Sequence, residues 1–176
     1  LSNKDIVLIY AGGKDPWQSV DLLDSLLFKV LEINEKIKVI FLTKPEIKQL
    51  NIFKKFQQRV FQIWVAPEKV YSMLSLADYG LLIRENSETN KVSSPTKFGE
   101  YLAAGLKVII SENIGDYSQN VKDNELGFLL SSNSSEEVFK NLKKTLPEEK
   151  NELVKYALEN LTKNSKIKSY SRVLNC

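Results

Sequence analysis

The sequence predicts an α/β protein with a doubly wound parallel sheet, and three observations support this fold class. Short apolar runs rich in Val and Ile alternate along the chain with longer runs in which apolar residues recur at helical spacing. Residues 5–10 are apolar almost throughout, which is typical of a strand buried on both faces. The 176 residues contain no internal repeat and no low-complexity linker, and they suit one Rossmann-like domain, here residues 1–163, followed by a polar tail, residues 164–176.

The same patterns place the individual elements. We expect strands at residues 5–10, 38–43, 59–65, 79–84, 107–111 and 127–130. The first helix should begin at Pro16, with Asp15 as its N-cap, and continue through Leu31. Further helices are expected at residues 45–57, 68–76, 94–104, 117–122, 135–145 and 148–163, and residues 85–93 are expected to be a polar loop.

Composition excludes several classes of function. The chain contains no His, which excludes His-based catalysis within these 176 residues. Cys176 is its only Cys, which excludes an internal disulfide. Its 25 Lys and Arg residues are spread along the chain against 22 Asp and Glu residues, which argues against nucleic acid as the main ligand. No apolar run approaches the roughly 20 residues of a transmembrane helix. The single Cys fits a reducing compartment. We expect no metal and no cofactor, and a cytoplasmic protein or one peripheral to the inner face of the membrane.

Polar or glycine-bearing segments follow three of the predicted strands, at residues 11–15, 84–97 and 111–117. Ligands of open parallel sheets bind beyond the carboxyl ends of the strands, so these segments mark the expected site. Gly12 and Gly13 precede Lys14 and could expose backbone N–H groups to a phosphate. The alternative is a tight turn that needs positive φ. Neither the P-loop nor the GxGxxG pattern is present.

Residues 94–105 carry a stronger signal. If Ser94 caps a helix that Pro95 opens, the free N–H groups of its first turn form an anion site. Lys97 would add a positive charge, and Glu100 lies on roughly the same face, where its carboxylate could accept hydrogen bonds from a ribose diol. The alternative is a surface helix with a solvated Lys–Glu pair.

These residues resemble a known family. SSPTKFGEYLAAGLKVIIS is similar to the nucleotide-sugar-binding region of glycosyltransferase family 4 and its bacterial relatives, in particular the branch that reads roughly SPxKxxEYLAxGxPVI. YAGGKDPWQSVDLL, ADYGLLIRENSETN and GDYSQNVKDNELGFLL resemble further parts of the same C-terminal domain. The likeness extends in order over residues 5–130.

The resemblance implies the donor-binding half of a GT-B glycosyltransferase that transfers a hexose with retention and without a metal. The donor would be a nucleoside diphosphate sugar, UDP- or GDP-linked, and the acceptor a glycan or glycolipid of cell-surface polysaccharide. An N-terminal acceptor-binding domain would lie outside this chain, the chain alone would be inactive, and residues 164–176 would form a helix that crosses to that domain. The donor-binding residues carried over are Gly12, Gly13, Lys14, Arg84, Asn90, Lys91, Ser94, Pro95, Thr96, Lys97 and Glu100.

Within that set, Lys14, Arg84 and Lys97 are the candidates for stabilising the leaving group, and the base would lie near residues 65–67. One departure from the family pattern concerns the sugar. Many relatives carry a Glu eight residues before the ribose-binding Glu, where this chain has Val92, so Asn90 and Glu88 remain the candidates for contacting the sugar. Two alternatives follow: a non-catalytic nucleotide-binding or interaction module of the same fold, and an unrelated Rossmann-type enzyme such as a dehydrogenase.

Overall fold

The computed structural model describes residues 2, 4–13, 15, 18–44, 47–131 and 135–162. Within them, six strands form one sheet: β1 (Ile6–Ala11), β2 (Ile37–Leu42), β3 (Val60–Ile63), β4 (Tyr79–Leu82), β5 (Lys107–Ser111) and β6 (Gly127–Leu130). Every pair of neighbouring strands is parallel, and their order is β3-β2-β1-β4-β5-β6. The predicted doubly wound sheet is confirmed, and its strand order reverses between β1 and β4.

Eight helices are described: α1 (Val20–Ile33), α2 (Asn51–Lys55), α3 (Pro67–Leu74), α4 (Glu88–Lys91), α5 (Thr96–Ala103), α6 (Tyr117–Asp123), α7 (Ser135–Lys140) and α8 (Pro147–Asn160). One buried cluster packs α1, α2 and α7 against one face of the sheet. A second packs α3, α5, α6 and α8 against the other face. None of the described helices is long and apolar enough to span a membrane.

The predicted start of the first helix is wrong. α1 begins at Val20, because Ser19 adopts the left-handed conformation with φ of 50°. Just before it, the Gln18 N–H donates to the Asp15 carbonyl. Asp15 is therefore not the N-cap of α1. The Ser19 hydroxyl accepts a hydrogen bond from the Glu85 N–H at 2.9 Å, which ties the start of α1 to the chain just after β4.

The second predicted helix is shorter than expected, since only Asn51–Lys55 is helical within the described part of residues 45–57. Its start is fixed from outside the segment. The buried Asp24 carboxylate, on α1, accepts the N–H groups of Asn51 and Ile52 at 3.0 and 3.1 Å. This long-range cap satisfies free N–H groups at the helix start.

Two corrections concern the predicted anion site. The expected loop at residues 85–93 contains the short helix α4, whose N-cap Ser87 accepts the Asn90 N–H. Ser94 does not cap the next helix: Pro95 occupies the N-cap position of α5, and the first helical residue is Thr96. The Ser94 hydroxyl instead lies 2.8 Å from the Tyr117 hydroxyl.

The last predicted helices also differ in length. α7 ends at Lys140 instead of continuing to Thr145. The Thr145 N–H donates to the buried carboxylate of Asp78, which precedes β4, at 3.1 Å. The other oxygen of Asp78 accepts the Val7 N–H at 2.9 Å, so one carboxylate links β1 to the segment before α8. The predicted site residue Lys14 and the predicted tail helix, residues 164–176, lie outside the described residues.

Candidate functional site

A crevice opens at the carboxyl edge of the sheet between β1 and β4. The two strands pair only through Leu8 with Tyr79 and Ile9 with Gly80, so they are not paired beyond those residues. Beyond those residues, the Tyr101 hydroxyl from α5 bridges the two strands. It accepts a hydrogen bond from the Ala11 N–H at 2.9 Å and lies 3.4 Å from the Leu81 carbonyl. Burial raises the pKa of Tyr101 above its ordinary value, which keeps this hydroxyl protonated.

Close packing fixes α5 against the crevice. The Tyr101 ring lies directly on Gly80, where an added Cβ would be 2.3 Å from the ring. Phe98, Tyr101 and Leu102 are all fully buried against the same face of the sheet. The first turn of α5 is therefore held at the strand ends.

The glycine loop after β1 also faces the crevice. The structure requires glycine there for a reason other than the turn with positive φ that the sequence offers as the alternative. Gly12 and Gly13 do not adopt positive φ, so a left-handed turn is not what requires glycine here. A Cβ at Gly12 would lie 2.8 Å from the Tyr10 hydroxyl, which donates to the Gly13 carbonyl at 2.8 Å. Burial raises the pKa of Tyr10 as well. The buried phenol therefore packs against the loop at a position that a side chain at residue 12 would occupy.

Two cavities of about 430 Å³ each lie at this edge. The glycine-loop cavity is lined by Ala11, Gly12, Gly13, Asp15, Leu42, Thr43, Lys44, Trp64, Val65, Val70 and Lys97. The helix-start cavity is lined by Gln18, Arg84, Thr89, Asn90, Ser93, Ser94, Pro95, Thr96 and Lys97. Lys97 lines both, so the two cavities adjoin at a cation.

Among the residues of the glycine-loop cavity that sequence reasoning missed are Thr43 and Lys44, which follow β2, and Trp64, which follows β3. Trp64 leaves 60% of its surface exposed, which is unusual for so large an apolar ring. Their position after the strand ends was the available signal.

Arg84 is the most unusual group in the site. It is only 9% exposed, its Nε is buried without a hydrogen-bond partner, and its Nη1 makes only long hydrogen bonds of 3.4 Å to Asn90 and Ser93. No described carboxylate forms an ion pair with it, although buried cations are normally paired. Burial lowers the pKa of Arg84, and an anion beside it would oppose that effect.

Asn90 is buried to 1% exposure, and its side chain holds the loop around Arg84. Its amide nitrogen donates to the Glu85 carbonyl at 2.9 Å, and its amide oxygen faces Arg84. Its carbonyl accepts hydrogen bonds from the Ser93 hydroxyl and the Gly115 N–H. The structure thus brings Asn90 to the helix-start cavity and commits its side chain to protein partners.

The predicted charged residues are arranged in two ion pairs. Lys97 binds the Glu100 carboxylate at 2.5 Å, and Glu100 does not itself line either cavity. Lys91 binds Glu88 at 2.7 Å and also lies outside both linings. The structure therefore brings Gly12, Gly13, Arg84, Asn90, Ser94, Pro95, Thr96 and Lys97 together, with Glu100 one turn of α5 away, and does not bring Lys91 to the cavities.

The glucosyltransferase 3-like C-terminal domain matches residues 29–170, which is most of the chain. This chain belongs to that family. The domain is therefore a glycosyltransferase C-terminal domain. No curated protein matches the chain.

Solved structures share the fold of this domain. The S. aureus TarM complex with fondaparinux, alpha-GlcNAc-glycerol and UDP is 15% identical, with a TM-score of 0.69 over 98% of this chain and 36% of that chain. The pneumococcal O-GlcNAc transferase GtfA, in complex with UDP and GlcNAc, is 16% identical, with a TM-score of 0.58 over 96% and 32%. AviGT4, a glycosyltransferase of avilamycin A biosynthesis, is 15% identical, with a TM-score of 0.59 over 97% and 52%.

These likenesses show a Rossmann-like domain with the fold of the C-terminal half of GT-B enzymes. The chain spans only a third to about half of the length of these neighbours.

Proposed function

We propose that this domain binds the nucleoside diphosphate sugar donor of a glycosyltransferase at the crevice between β1 and β4. The observation that carries the proposal is Arg84, a buried guanidinium that has no carboxylate partner among the described residues and lines a cavity beside the first turn of α5. A diphosphate would supply the missing negative charge. The helix start and Lys97 add positive potential on the same side.

The two cavities suit the two ends of a nucleotide. We place the base in the glycine-loop cavity, where the exposed Trp64 ring offers a stacking surface and Val65 adds apolar contact. The diphosphate would then lie at the junction of the two cavities, against Gly12, Gly13 and Lys97. Lys14 is proposed to contribute a further cation. Glu100, paired with Lys97, would accept the ribose hydroxyls.

The chemistry this arrangement supports is the departure of a diphosphate. The bond between the anomeric carbon and the diphosphate oxygen breaks, and its electron pair stays on that oxygen. The acceptor hydroxyl oxygen bonds to the anomeric carbon, and its proton passes to the released diphosphate. Arg84, Lys97 and the N–H groups at the start of α5 stabilise the growing negative charge without a metal. We propose retention of configuration, as the family resemblance implies.

The substrate class follows from the resemblance and the neighbours. Two of the solved neighbours carry UDP in their complexes. We propose a UDP- or GDP-linked hexose as the donor and a glycan or glycolipid of cell-surface polysaccharide as the acceptor. We further propose membership of the SPxKxxEYLAxG branch, an N-terminal acceptor-binding domain outside this chain, and action in the cytoplasm or at the inner membrane face.

A thermal-shift panel of UDP, GDP, ADP and their sugars tests this function. A true ligand at 100 times its dissociation constant should stabilise the domain by about 2.7 kcal/mol. NADH serves as the control for a dehydrogenase-type Rossmann domain. Stabilisation by NADH alone, or by none of the nucleotides, would overturn the proposal.

The second candidate is a non-catalytic module of the same fold. Val92 favours it, because this residue is 83% exposed and offers no carboxylate where many relatives contact the sugar. The module would bind nucleotide without any transfer even when the acceptor domain is present. Transfer by the longer protein would eliminate it.

A further inference from the structure

Two buried tyrosines hold the glycine loop from opposite faces of the sheet. Tyr101, on the face that packs α5, accepts the Ala11 N–H at 2.9 Å, at the start of the loop. Tyr10, on the face that packs α1, is 3% exposed, and its hydroxyl donates to the Gly13 carbonyl at 2.8 Å. Gln18 Oε1 lies 3.3 Å from the same hydroxyl, so the Gly13 carbonyl is the nearer acceptor.

The hydrogen bond to Tyr10 turns the Gly13 carbonyl oxygen away from the glycine-loop cavity. Tyr10 packs in the buried cluster on the α1 face, whereas the aliphatic residues that line the cavity pack in the cluster on the other face. A carbonyl oxygen carries partial negative charge and would repel a phosphate in the cavity. The phenol therefore keeps this repulsive group out of the cavity.

The loop also offers two backbone donors. Gly12 and Gly13 line the cavity, and neither of their N–H groups donates to another described residue. Lys97 lines the same cavity and adds a positive charge. Successive N–H groups bind an anion well when the peptides that carry them are held in one orientation before the anion arrives. The orientation of this short loop is therefore what a phosphate would depend on.

Resting on the proposed function, we infer that Tyr10 is a positioning residue for the donor diphosphate. Its hydroxyl holds the Gly13 carbonyl on the α1 face, which leaves the N–H groups of Gly12 and Gly13 available to the phosphate oxygens. Without that hydroxyl, the Gly13 carbonyl can rotate toward the cavity, because glycine permits both orientations. Tyr10 does not line the cavity and acts only through the loop.

The test is Tyr10→Phe, which keeps the ring beside Gly12 and removes only the hydroxyl. Tyr79→Phe is the matched control. Tyr79 is also 3% exposed and donates to the Lys143 carbonyl at 2.7 Å, but it lies at the amino end of β4, away from the glycine loop. The whole chain, isotopically labelled at the amide nitrogens of its seven Gly residues, is titrated with UDP, uridine, GDP and guanosine. The glycine amide signals in NMR spectra give each affinity and report on the loop directly.

We expect Tyr10→Phe to lower the affinity for the better-bound nucleoside diphosphate about tenfold and the affinity for its nucleoside by less than about twofold. The amide signals of Gly12 and Gly13 should shift strongly with the diphosphate in the parent and weakly in Tyr10→Phe. Tyr79→Phe should match the parent in both measurements.

Each other result has a definite meaning. Parent-like binding of the diphosphate by Tyr10→Phe would overturn the role of Tyr10 and leave the proposed function standing. Equal weakening of diphosphate and nucleoside, or equal weakening by Tyr79→Phe, would also overturn it, since the effect would then be one of general stability. If the parent binds neither diphosphate, the proposed function itself fails, and the role of Tyr10 with it. Circular dichroism checks that both variants are folded.

Discussion

At the residue scale, the ion pair between Lys97 and Glu100 has a matched counterpart in the pair between Lys91 and Glu88. Both pairs join residues three positions apart, and their N–O distances are 2.5 and 2.7 Å. Only Lys97 lines the cavities. An exposed pair of this kind contributes up to about 1 kcal/mol to stability. If replacing Lys97 or Glu100 changes the free energy of nucleotide binding by more than that, the residue must contact the ligand.

Replacing Glu100 with Gln should weaken nucleotide binding about tenfold or more. The change keeps the side-chain volume but removes the charge that accepts the two ribose hydroxyls, and hydrogen bonds to a charged group contribute about 1.5–3 kcal/mol. Calorimetry with the nucleotide identified by the thermal-shift panel measures the effect. Glu88→Gln, at a residue that lines neither cavity, is the control and should leave the affinity for the sugar-free nucleoside diphosphate unchanged. Parent-like binding by Glu100→Gln would make Glu100 a structural residue.

Lys97→Ala should separate diphosphate from nucleoside binding. Loss of the ammonium should lower the affinity for the nucleoside diphosphate severalfold and leave the affinity for the nucleoside almost unchanged, because the charge acts on the phosphates. Parallel titrations with both ligands check this, and Lys91→Ala is the control. Equal weakening of both ligands would mean that Lys97 acts through the shape of α5.

At the element scale, the position of α5 depends on the contact between Tyr101 and Gly80. Gly80→Ala should destabilise the domain by about 1–3 kcal/mol, because the new methyl group would overlap the Tyr101 ring. Urea denaturation followed by circular dichroism measures the loss. Gly99→Ala, on α5, is the control: its nearest contact would be 3.9 Å away, and it should stabilise the helix by up to about 1 kcal/mol. A neutral Gly80→Ala would show that α5 can shift freely.

The start of α8 should respond to acid. Lys107 donates to the Glu149 carboxylate, and the Leu146 N–H donates to its other oxygen at 2.8 Å. These hydrogen bonds lower the pKa of Glu149 below its ordinary value of 4.5. Since the folded-state pKa is the lower one, the stabilisation is present above about pH 4.5 and is lost as the pH falls through the folded-state pKa.

Glu149→Gln should therefore flatten the fall in the free energy of unfolding below about pH 4.5. Urea melts across that range measure the slope. Glu148→Gln, in the same first turn of α8, is the control and should retain the parent slope. An unchanged slope in Glu149→Gln would mean that its hydrogen bonds persist in the unfolded chain.

The elements differ in how far the sequence could predict them. Strand positions were readable because their apolar runs are local, and all six were found within about two residues at each end. The start of α1 depends on the left-handed Ser19 and its hydrogen bond to Glu85, 66 residues away, and the start of α2 depends on Asp24. Contacts between distant residues leave no periodic signal, so these boundaries were misplaced.

At the scale of the whole molecule, topology brought most of the predicted site residues together. The positions of the glycine loop, Arg84 and Lys97 could be predicted from one rule, which is that parallel strands end at a common edge of the sheet. Trp64 and Lys44 were missed because their side chains carry no motif, and the burial of Asn90 could not be seen because its partners, Glu85 and Gly115, adopt their positions only in the folded loop.

The whole chain should bind the donor without transferring its sugar. It spans a third to about half of its solved neighbours, so half of the proposed cleft would have to come from another domain. Incubation with the best-bound nucleotide sugar and a panel of glycan acceptors, followed by chromatography for product, measures transfer. Denatured protein is the control for spontaneous hydrolysis. Product above that background would contradict the prediction that this chain needs another domain for transfer.

Gly115 shows that the two loops above β4 and β5 form a single unit. Its φ is 47°, its N–H donates to the Asn90 carbonyl, and a Cβ there would lie 2.6 Å from the Ser93 carbonyl. No other amino acid fits this contact without moving residues 91–93. Either loop could thus be exchanged between relatives only by transplanting residues 87–95 and 113–118 together. A chimera that imports either loop alone would disturb the contacts of Asn90 and Ser93 with the Arg84 guanidinium.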